Sequence, residues 1–489
     1  MFRQIHFITV LLWCVSCYSQ QLTLTSAIQI AQQQSYDAMV AKLSFMSQYW
    51  SYRSFQAEML PSVSLSGSLL QFDRSMVEAR NYEDGQIAYV ENNSMSNSLS
   101  LSIDQNFSTL GGKLSVQSYL YRLDQFSYDT KIYNSQPVRL RYTQPLWAYN
   151  SLKWQKKIEP IKYEKAKLVY LESMEDVAIQ AVTLFFNVLS AQSTYQQSVG
   201  TLKDRQYLYE IAKKRFDIGT TTKSELLQLE LSLLNAHMAV ENNVLTLKNR
   251  MFRLFSFLRI YNYDNIELIP PFTIPDATIN VDEVVNRALK NSTHNLVQQI
   301  SRLESEKLVA QAKANKGIQV QLNAELGFNR TANHFNEAYR HLKDNEIVGL
   351  TVSLPIFDWG VSKGRVKMAE ADFEVTKTQL EQAHETYVQD LKMSVLQFNM
   401  QYEQCKNALR AQDIADERYD ITKRRYETGA VTVTDLNTAQ QESENARNQY
   451  ISQLQTFWIS YYNIRKSTLY DWIDHHNLAV DFNTVHVKK

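Results

Sequence analysis

The strongest constraint on this chain is that it repeats itself. Lys213-Lys214-Arg215-Phe216-Asp217-Ile218-Gly219-Thr220 is echoed 210 positions later by Lys423-Arg424-Arg425-Tyr426-Glu427-Thr428-Gly429-Ala430. The same offset carries Pro145-Leu146-Trp147 onto Pro355-Ile356-Phe357. About 75 residues are thus duplicated without insertion or deletion, which predicts one supersecondary unit used twice. Any function is expected to draw on both copies.

The duplicated stretch reads as long helix. Glycine and proline are absent from residues 220–269, 365–428 and 430–489. Val388, Leu391, Val395, Phe398, Tyr402, Cys405 and Leu409 follow alternating steps of three and four. Their counterparts Ala178, Ala181, Phe185, Val188, Gln192, Tyr195 and Val199 keep the pattern with one polar interruption. Such a stripe is the seam of a coiled coil. A helix over 151–219 is on the order of 100 Å long at 1.5 Å per residue. Gly219 and Gly429 supply the left-handed residue that stops a helix, and a second helix starts at once. Each copy is therefore expected to form an antiparallel helical hairpin with its turn at the duplicated signature. Pro160 lies early enough to kink only the first turns.

Between the helices the period falls to two. Val63, Leu65 and Leu69 alternate with Ser62, Ser64, Ser66 and Ser68, and Val138, Leu140 and Tyr142 with Arg139, Arg141 and Thr143. Ile318, Val320, Leu322, Ala324 and Leu326 alternate with Gln319, Gln321, Asn323 and Glu325, and Val348, Leu350, Val352 and Leu354 complete the set. A lone segment of this kind suits a half-buried soluble sheet, but it is also the pattern of a membrane-barrel strand. The first helix (24–59) has a counterpart in 281–316, and the stretch 61–145 exceeds its partner 318–355 by 47 residues. That surplus holds two more alternating segments, 98–103 and 114–121, joined through Thr109-Leu110-Gly111-Gly112. It reads as an added β-hairpin.

The N-terminus decides between soluble and membrane readings. Arg3 precedes an apolar stretch over 5–15, and Cys17-Tyr18-Ser19 places small residues at −3 and −1 of a cleavage site. This is an export signal, too short to span a bilayer. Acylation at Cys17 is the alternative to cleavage near Ser19; Cys14 stands where such a signal carries leucine. No later stretch approaches 18 continuous apolar residues, so no transmembrane helix is expected. An exported chain that crosses a membrane without helices must close a barrel. Equal numbers of acidic and basic residues leave no basic domain for nucleic acid.

These residues resemble the TolC-like outer-membrane efflux and secretion channel family over nearly the whole mature chain. The resemblance rests on Leu354-Pro355-Ile356-Phe357-Asp358-Trp359-Gly360, on Met59-Leu60-Pro61-Ser62-Val63-Ser64-Leu65, and on the two glycine tips. It implies an α+β membrane protein with a two-fold internal repeat, in which coiled-coil helical hairpins form an α-barrel tunnel and strands form a transmembrane β-barrel. It also implies a homotrimer in the outer membrane of a Gram-negative bacterium, extending into the periplasm; in such a trimer four strands per protomer give a twelve-stranded barrel and incorporation of the added hairpin gives eighteen, with the match to the helical tunnel favouring twelve. The expected partners are outer-membrane lipid, a periplasmic adaptor (membrane fusion) protein and an inner-membrane pump; no cofactor and no enzymatic chemistry are expected. The corresponding division is an export signal (1–19), an N-terminal helix (20–60), strands with the added hairpin (61–146) and a first long hairpin (147–253). There follow an equatorial linker (254–281), a helix (282–316), strands (317–357), a second long hairpin (358–470) and a tail (471–489).

The same resemblance places a gate at the tips. Asp435 matches a constricting aspartate and Tyr426 a tyrosine of the closed state, while Thr438 and Val431 replace a second aspartate and a latch arginine. Ser224 and Glu225 stand where that latch finds its partners. Gly219, Gly429, Arg215 and Arg425 mark the turns and a surface for the adaptor. In a three-fold assembly an inward Asp435 makes a ring of three carboxylates suited to cations. Asp435 and Glu225 also fit the first turn of a helix, where carboxylates meet the positive dipole end. The clusters Lys213/Lys214/Arg215 and Lys423/Arg424/Arg425 suit the opposite helix end in the same way. Tyr142, Trp147 and Phe357 are candidates for an interfacial aromatic girdle. The histidines make no metal array: His475 and His476 are expected to diverge on a helix, and His334 and His341 to lie in a loop. Cys405, on the apolar stripe, is expected to be buried. The expected function is export of small molecules through a passive conduit. A type I protein-secretion conduit, or an exported coiled-coil scaffold, are the alternatives.

Overall fold

A computed structural model describes residues 20–80, 86–261, 266–271, 275 and 278–482; the signal segment with Cys17 and Ser19 lies outside them. The order is β1 (Gln20–Leu22), α1 (Leu24–Gln34), α2 (Tyr36–Glu58), β2 (Ser62–Arg80), β3 (Ile87–Asn106), β4 (Lys113–Gln125), β5 (Thr130–Leu146), α3 (Ser151–Asp217) and α4 (Lys223–Leu258). Then come β6 (Ile266–Leu268), α5 (Val281–Asn291), α6 (His294–Lys316), β7 (Gln319–Ala332), β8 (Lys343–Ser353), α7 (Val361–Glu427), α8 (Val433–Thr468), β9 (Tyr470–Asp471) and β10 (His476–Asn477). Helices α3 and α7 both have 67 residues, and α4 and α8 both have 36. Two compact units result. Of the described residues, one comprises those up to Ser44, those of 169–292 and those from Tyr387 on; the other comprises those of 45–168 and 293–386.

The first unit is built on the apolar stripes. Ala178, Ala181, Phe185 and Val188 of α3, and Val395, Phe398 and Cys405 of α7, are fully buried in one core with Phe255 of α4 and Phe457 of α8. Burial pushes the Cys405 thiol up to about 11, as expected of a small core side chain rather than a nucleophile. Gln192, the polar interruption, has a backbone partner in each direction: it donates to the Leu268 carbonyl (3.4 Å) and accepts from the Leu268 N–H (3.3 Å). Asn399 does the same with Ile279, both bonds being 3.0 Å. These amides hold the segment around β6, which pairs in parallel with β1. Asn187, Ser190, Ala191 and Thr194 of α3 and Asn243, Thr246 and Arg250 of α4 line one cleft, at similar distances along the chain from the turn that joins the two helices.

Two expectations are corrected. The helices expected over 24–59 and 281–316 each break in two, at Ser35 and at Ser292-Thr293, without glycine or proline. Ser35 leaves the helix in an extended conformation (φ −64°, ψ 155°) and its side chain accepts from the Ala38 N–H, re-satisfying the backbone across the break. His475 and His476 lie not on a helix: His475 is in the turn between β9 and β10, left-handed (φ 52°), and His476 opens β10, paired with Asp471. Helix α3 also contains an 18-residue window apolar enough to cross a membrane by length and composition, although its apolar residues do not form one continuous run. Half of that window is buried within the chain.

The second unit carries one six-stranded antiparallel sheet in the order β2-β3-β4-β5-β7-β8. The added hairpin is part of it: β3 and β4 pair through Leu99↔Leu120 and Ile103↔Val116, closed by a turn at Phe107–Gly112. Following the register from Val63↔Ile103 to Val116↔Leu140, Leu140↔Leu326 and Leu322↔Leu350 shows that these apolar side chains share one face. The other face carries Ser64, Ser102, Gln117, Arg141 and Glu325. On that face Glu325 is held by Arg139 (2.7 Å) and Arg141 (3.2 Å). The apolar face is open: Val63, Leu65, Leu350 and Val352 are all more than half exposed. In the helical part of this unit, Tyr52 of α2 stacks on Tyr163 of α3 at 4.7 Å.

Candidate functional site at the helix tips

Both tips close in the same way, for the same reason. Gly219 and Gly429 have φ of +78° and +79°, a conformation that costs an L side chain steric energy. The residue after each glycine donates its N–H to the carbonyl five positions back, Thr220 to Arg215 (2.8 Å) and Ala430 to Arg425 (2.9 Å). The last carbonyls of α3 and α7 are thereby satisfied, as in a Schellman turn. Thr222 and Thr432 then cap α4 and α8, accepting from the N–H groups of Glu225 and Asp435.

The two carboxylates differ in what they bind. Asp435 reaches back to Thr432, accepting from its N–H (3.0 Å) and hydroxyl (2.7 Å), and so completes a capping box. Those bonds hold its carboxyl below the usual carboxylate range. Glu225 accepts from the Thr221 hydroxyl instead. Ser224 is exposed in the first turn of α4. Arg215 donates to the Glu427 carbonyl (3.2 Å), joining the two tips, while Arg425 is exposed.

Tyr426 does not face solvent. It is buried in an apolar cluster with Leu208, Ala212, Leu229, Val433 and Leu436, and burial raises its phenol's pKa. Val431 packs against the same cluster. The side chain standing where the resemblance expects a latch arginine thus contributes to the apolar contact between the hairpins.

Behind that cluster lies a polar clasp which sequence reasoning did not single out. Asp204 on α3 accepts from Lys423 (2.7 Å) and from the Tyr419 hydroxyl (2.7 Å), both on α7. Its neighbour Arg205, buried, donates to Gln440 on α8, and Gln440 donates to Thr201 (2.6 Å) and Glu444 (2.8 Å). Lys423 was visible in the basic cluster, but its charge goes to Asp204 rather than to the helix end alone. The only signal for this was the adjacent opposite charges Asp204-Arg205 four turns before the glycine.

Other chemistry is accounted for structurally. Asp471, Asp474 and His476 bring possible metal-ligating atoms within 4.8 Å of one another. Asp471 is already engaged by Arg465 and by the Tyr461 hydroxyl (2.6 Å). Of the girdle candidates, Trp147 and Phe357 are exposed beyond the strands, whereas Tyr142 is half-buried and donates to Gln144 (2.6 Å).

Long helices turning at glycine tips, joined in one chain to an antiparallel sheet that is apolar on one face, define a known architectural class. The crystal structure of the Campylobacter jejuni CmeC outer membrane channel superposes with a TM-score of 0.66 at 15% identity, covering 94% of this chain and 88% of that one. The outer membrane protein VceC from Vibrio cholerae gives 0.64 at 14% identity, with coverage of 93% and 97%. These likenesses are of fold. In sequence, the outer membrane protein TolC of Escherichia coli K12 is 24% identical over 308 residues, which is 58% of this chain and 61% of that protein. The profile of the outer membrane efflux protein family matches residues 107–258 and 284–468, more than half of the chain. The chain belongs to the outer membrane efflux protein family. It is a TolC-like protein of the Gram-negative outer membrane, in a family of channels rather than enzymes.

Proposed function

We propose that this chain forms, as a homotrimer, the outer-membrane conduit of a tripartite efflux system, passing small molecules outward without chemistry. The observation that carries the reading is the open sheet. Its apolar face needs lipid and its opposite face is hydroxylic and charged, the division required of strands between hydrocarbon and a lumen. The helical unit supports assembly. On α4, Leu227, Leu231, Leu234, Met238, Leu245 and Phe252 lie at heptad spacing and are all more than half exposed. On α7, Met393, Leu396, Met400, Ile414 and Ile421 do the same at 48% or more. Uncovered coiled-coil stripes of this length call for partner helices, and further copies of the chain supply them.

In this reading Asp435, Glu225, Ser224 and Tyr426 belong to the periplasmic gate. Asp435 contributes the ring charge, Tyr426 the apolar seal, and the Asp204–Lys423 clasp ties the hairpins where no latch arginine stands. Gly219, Gly429, Arg215 and Arg425 present the tips to an adaptor coupled to an inner-membrane pump. Deleting the gene in its host and measuring retention of small toxic compounds, with the secreted polypeptides in parallel, tests the assignment. Increased retention with an unchanged secretome is expected. Unchanged retention with loss of one exported polypeptide contradicts efflux and makes the conduit a protein-secretion channel.

A further inference from the structure

We infer that the β-barrel of this channel is closed by six strands from each copy, so that three copies build an eighteen-stranded wall. This rests on the proposed homotrimeric channel and adds the composition of its wall and the edge contact between copies. The sheet is continuous from β2 to β8, with every neighbour antiparallel and β3 and β4 inside the order rather than appended to it. Its outer strands are not paired with each other. In hydrocarbon an unpaired strand edge leaves a row of unsatisfied backbone groups, so both edges must find strands. Six strands fall below the eight of the smallest outer-membrane barrels, and one copy cannot close on itself.

A second copy fits both edges. Six alternating strands make β2 and β8 run in opposite directions, so β8 of one copy meets β2 of the next antiparallel, continuing the pattern already present. The apolar face continues as well: Val63 and Leu65 on one edge and Val348, Leu350 and Val352 on the other are the exposed lipid-facing side chains. The hairpin carries the same division of faces as its neighbours. Leu101 and Ile103 lie with the apolar set, and Ser100 and Ser102 lie opposite, facing Ser66 and Ser64 across the β2–β3 ladder. A hairpin lying outside the wall has no use for a lipid-facing and a lumen-facing side in register with both flanking strands.

The consequence concerns cargo. Barrel diameter grows roughly in proportion to strand number, so eighteen strands give about one and a half times the width of twelve, in the range that leaves an aqueous channel. On β2 and β3 the inner surface between residues 62 and 102 is a serine lattice, with Ser64 and Ser102 bonded at 2.8 Å. On β5 and β7 the inner charges are paired, Arg139 and Arg141 with Glu325. The outlet is wide and weakly discriminating, which leaves selection to the helix tips.

Disulfide formation in membranes tests this with three combinations of cysteines: Leu65→Cys with Val348→Cys, Leu350→Cys or Val352→Cys; Ser64→Cys with Ser102→Cys; and Val116→Cys with Leu140→Cys. The native Cys405 is buried and stays silent. The expected result is a covalent ladder ending at three chains for the first combination, and intrachain closure of the other two in the same membrane-inserted trimers. Intersubunit crosslinks without β2–β3 or β4–β5 closure place the hairpin outside the wall and overturn the eighteen-stranded barrel while leaving the channel intact. A ladder ending at two chains overturns it likewise. Recovery of uncrosslinked protein in the soluble fraction overturns the channel reading itself.

Discussion

Glu175 on α3 shows how one residue ties this fold to pH. It is almost fully buried and pairs with Arg465 on α8 at 3.0 Å, while Arg465 also holds Asp471. Burial, opposed by the Arg465 charge, pushes the Glu175 carboxyl from 4.5 up to about 7. A carboxyl whose folded pKa is raised favours the folded state when protonated. Its contribution is therefore complete below about pH 4.5 and is lost as pH rises to about 7. The melting temperature of detergent-solubilised protein is expected to carry a component that falls across that window, and Glu175→Gln is expected to remove it; an unchanged pH profile contradicts this. Arg465→Met leaves two buried carboxylates without their partner and is expected to cost about 3–5 kcal/mol, read from denaturant midpoints. None of this was legible in the sequence. Glu175 and Arg465 are 290 residues apart, and no local pattern announces a buried pair between distant helices.

At the scale of elements, the tips were the most legible part and the clasp the least. Glycine in each copy of the signature marked both turns because only the left-handed conformation closes them. Among the described residues, no atom outside the adjoining ones lies within 4 Å of a Cβ built on either glycine. Gly429→Ala is thus expected to be strained by conformation alone, by roughly 1–2 kcal/mol, with Gly429→Asn milder because asparagine tolerates that region. Thermal melts of the two variants separate these outcomes, and equal losses contradict the conformational account. The clasp depends on which faces of α3 and α7 meet, and helical periodicity does not say which stripes face each other. A double-mutant cycle on Asp204→Asn and Lys423→Met is expected to give a coupling of about 0.5–1 kcal/mol, since both side chains are about a quarter to a third exposed. No coupling contradicts a direct tie between the hairpins. The breaks at Ser35 and Ser292 were missed because serine, unlike glycine or proline, gives no strong stop signal. The polar interruption at Gln192 is explained by its backbone partner Leu268 in β6, which lies 76 residues away and is announced by no local pattern.

For the whole molecule, alternation of apolar and polar residues disclosed the strands, and the surplus of 47 residues disclosed a hairpin. Alternation does not give strand order, so it is compatible with twelve strands or eighteen, and matching the helical tunnel alone favours the smaller number. The observed order places the hairpin centrally because its two faces match those of β2 and β5. In the proposed trimer, further copies cover the exposed stripes on α4 and α7 and the two open sheet edges. In that trimer the copies form an ion-conducting pore whose narrow end carries the Asp435 carboxylates. Single-channel recording of the purified protein in planar bilayers checks this. Discrete conductance steps with a preference for cations are expected, and a reduced preference in Asp435→Asn. Absence of steps from membrane-inserted protein contradicts the channel, and steps whose ion preference is the same in Asp435→Asn contradict the carboxylate ring.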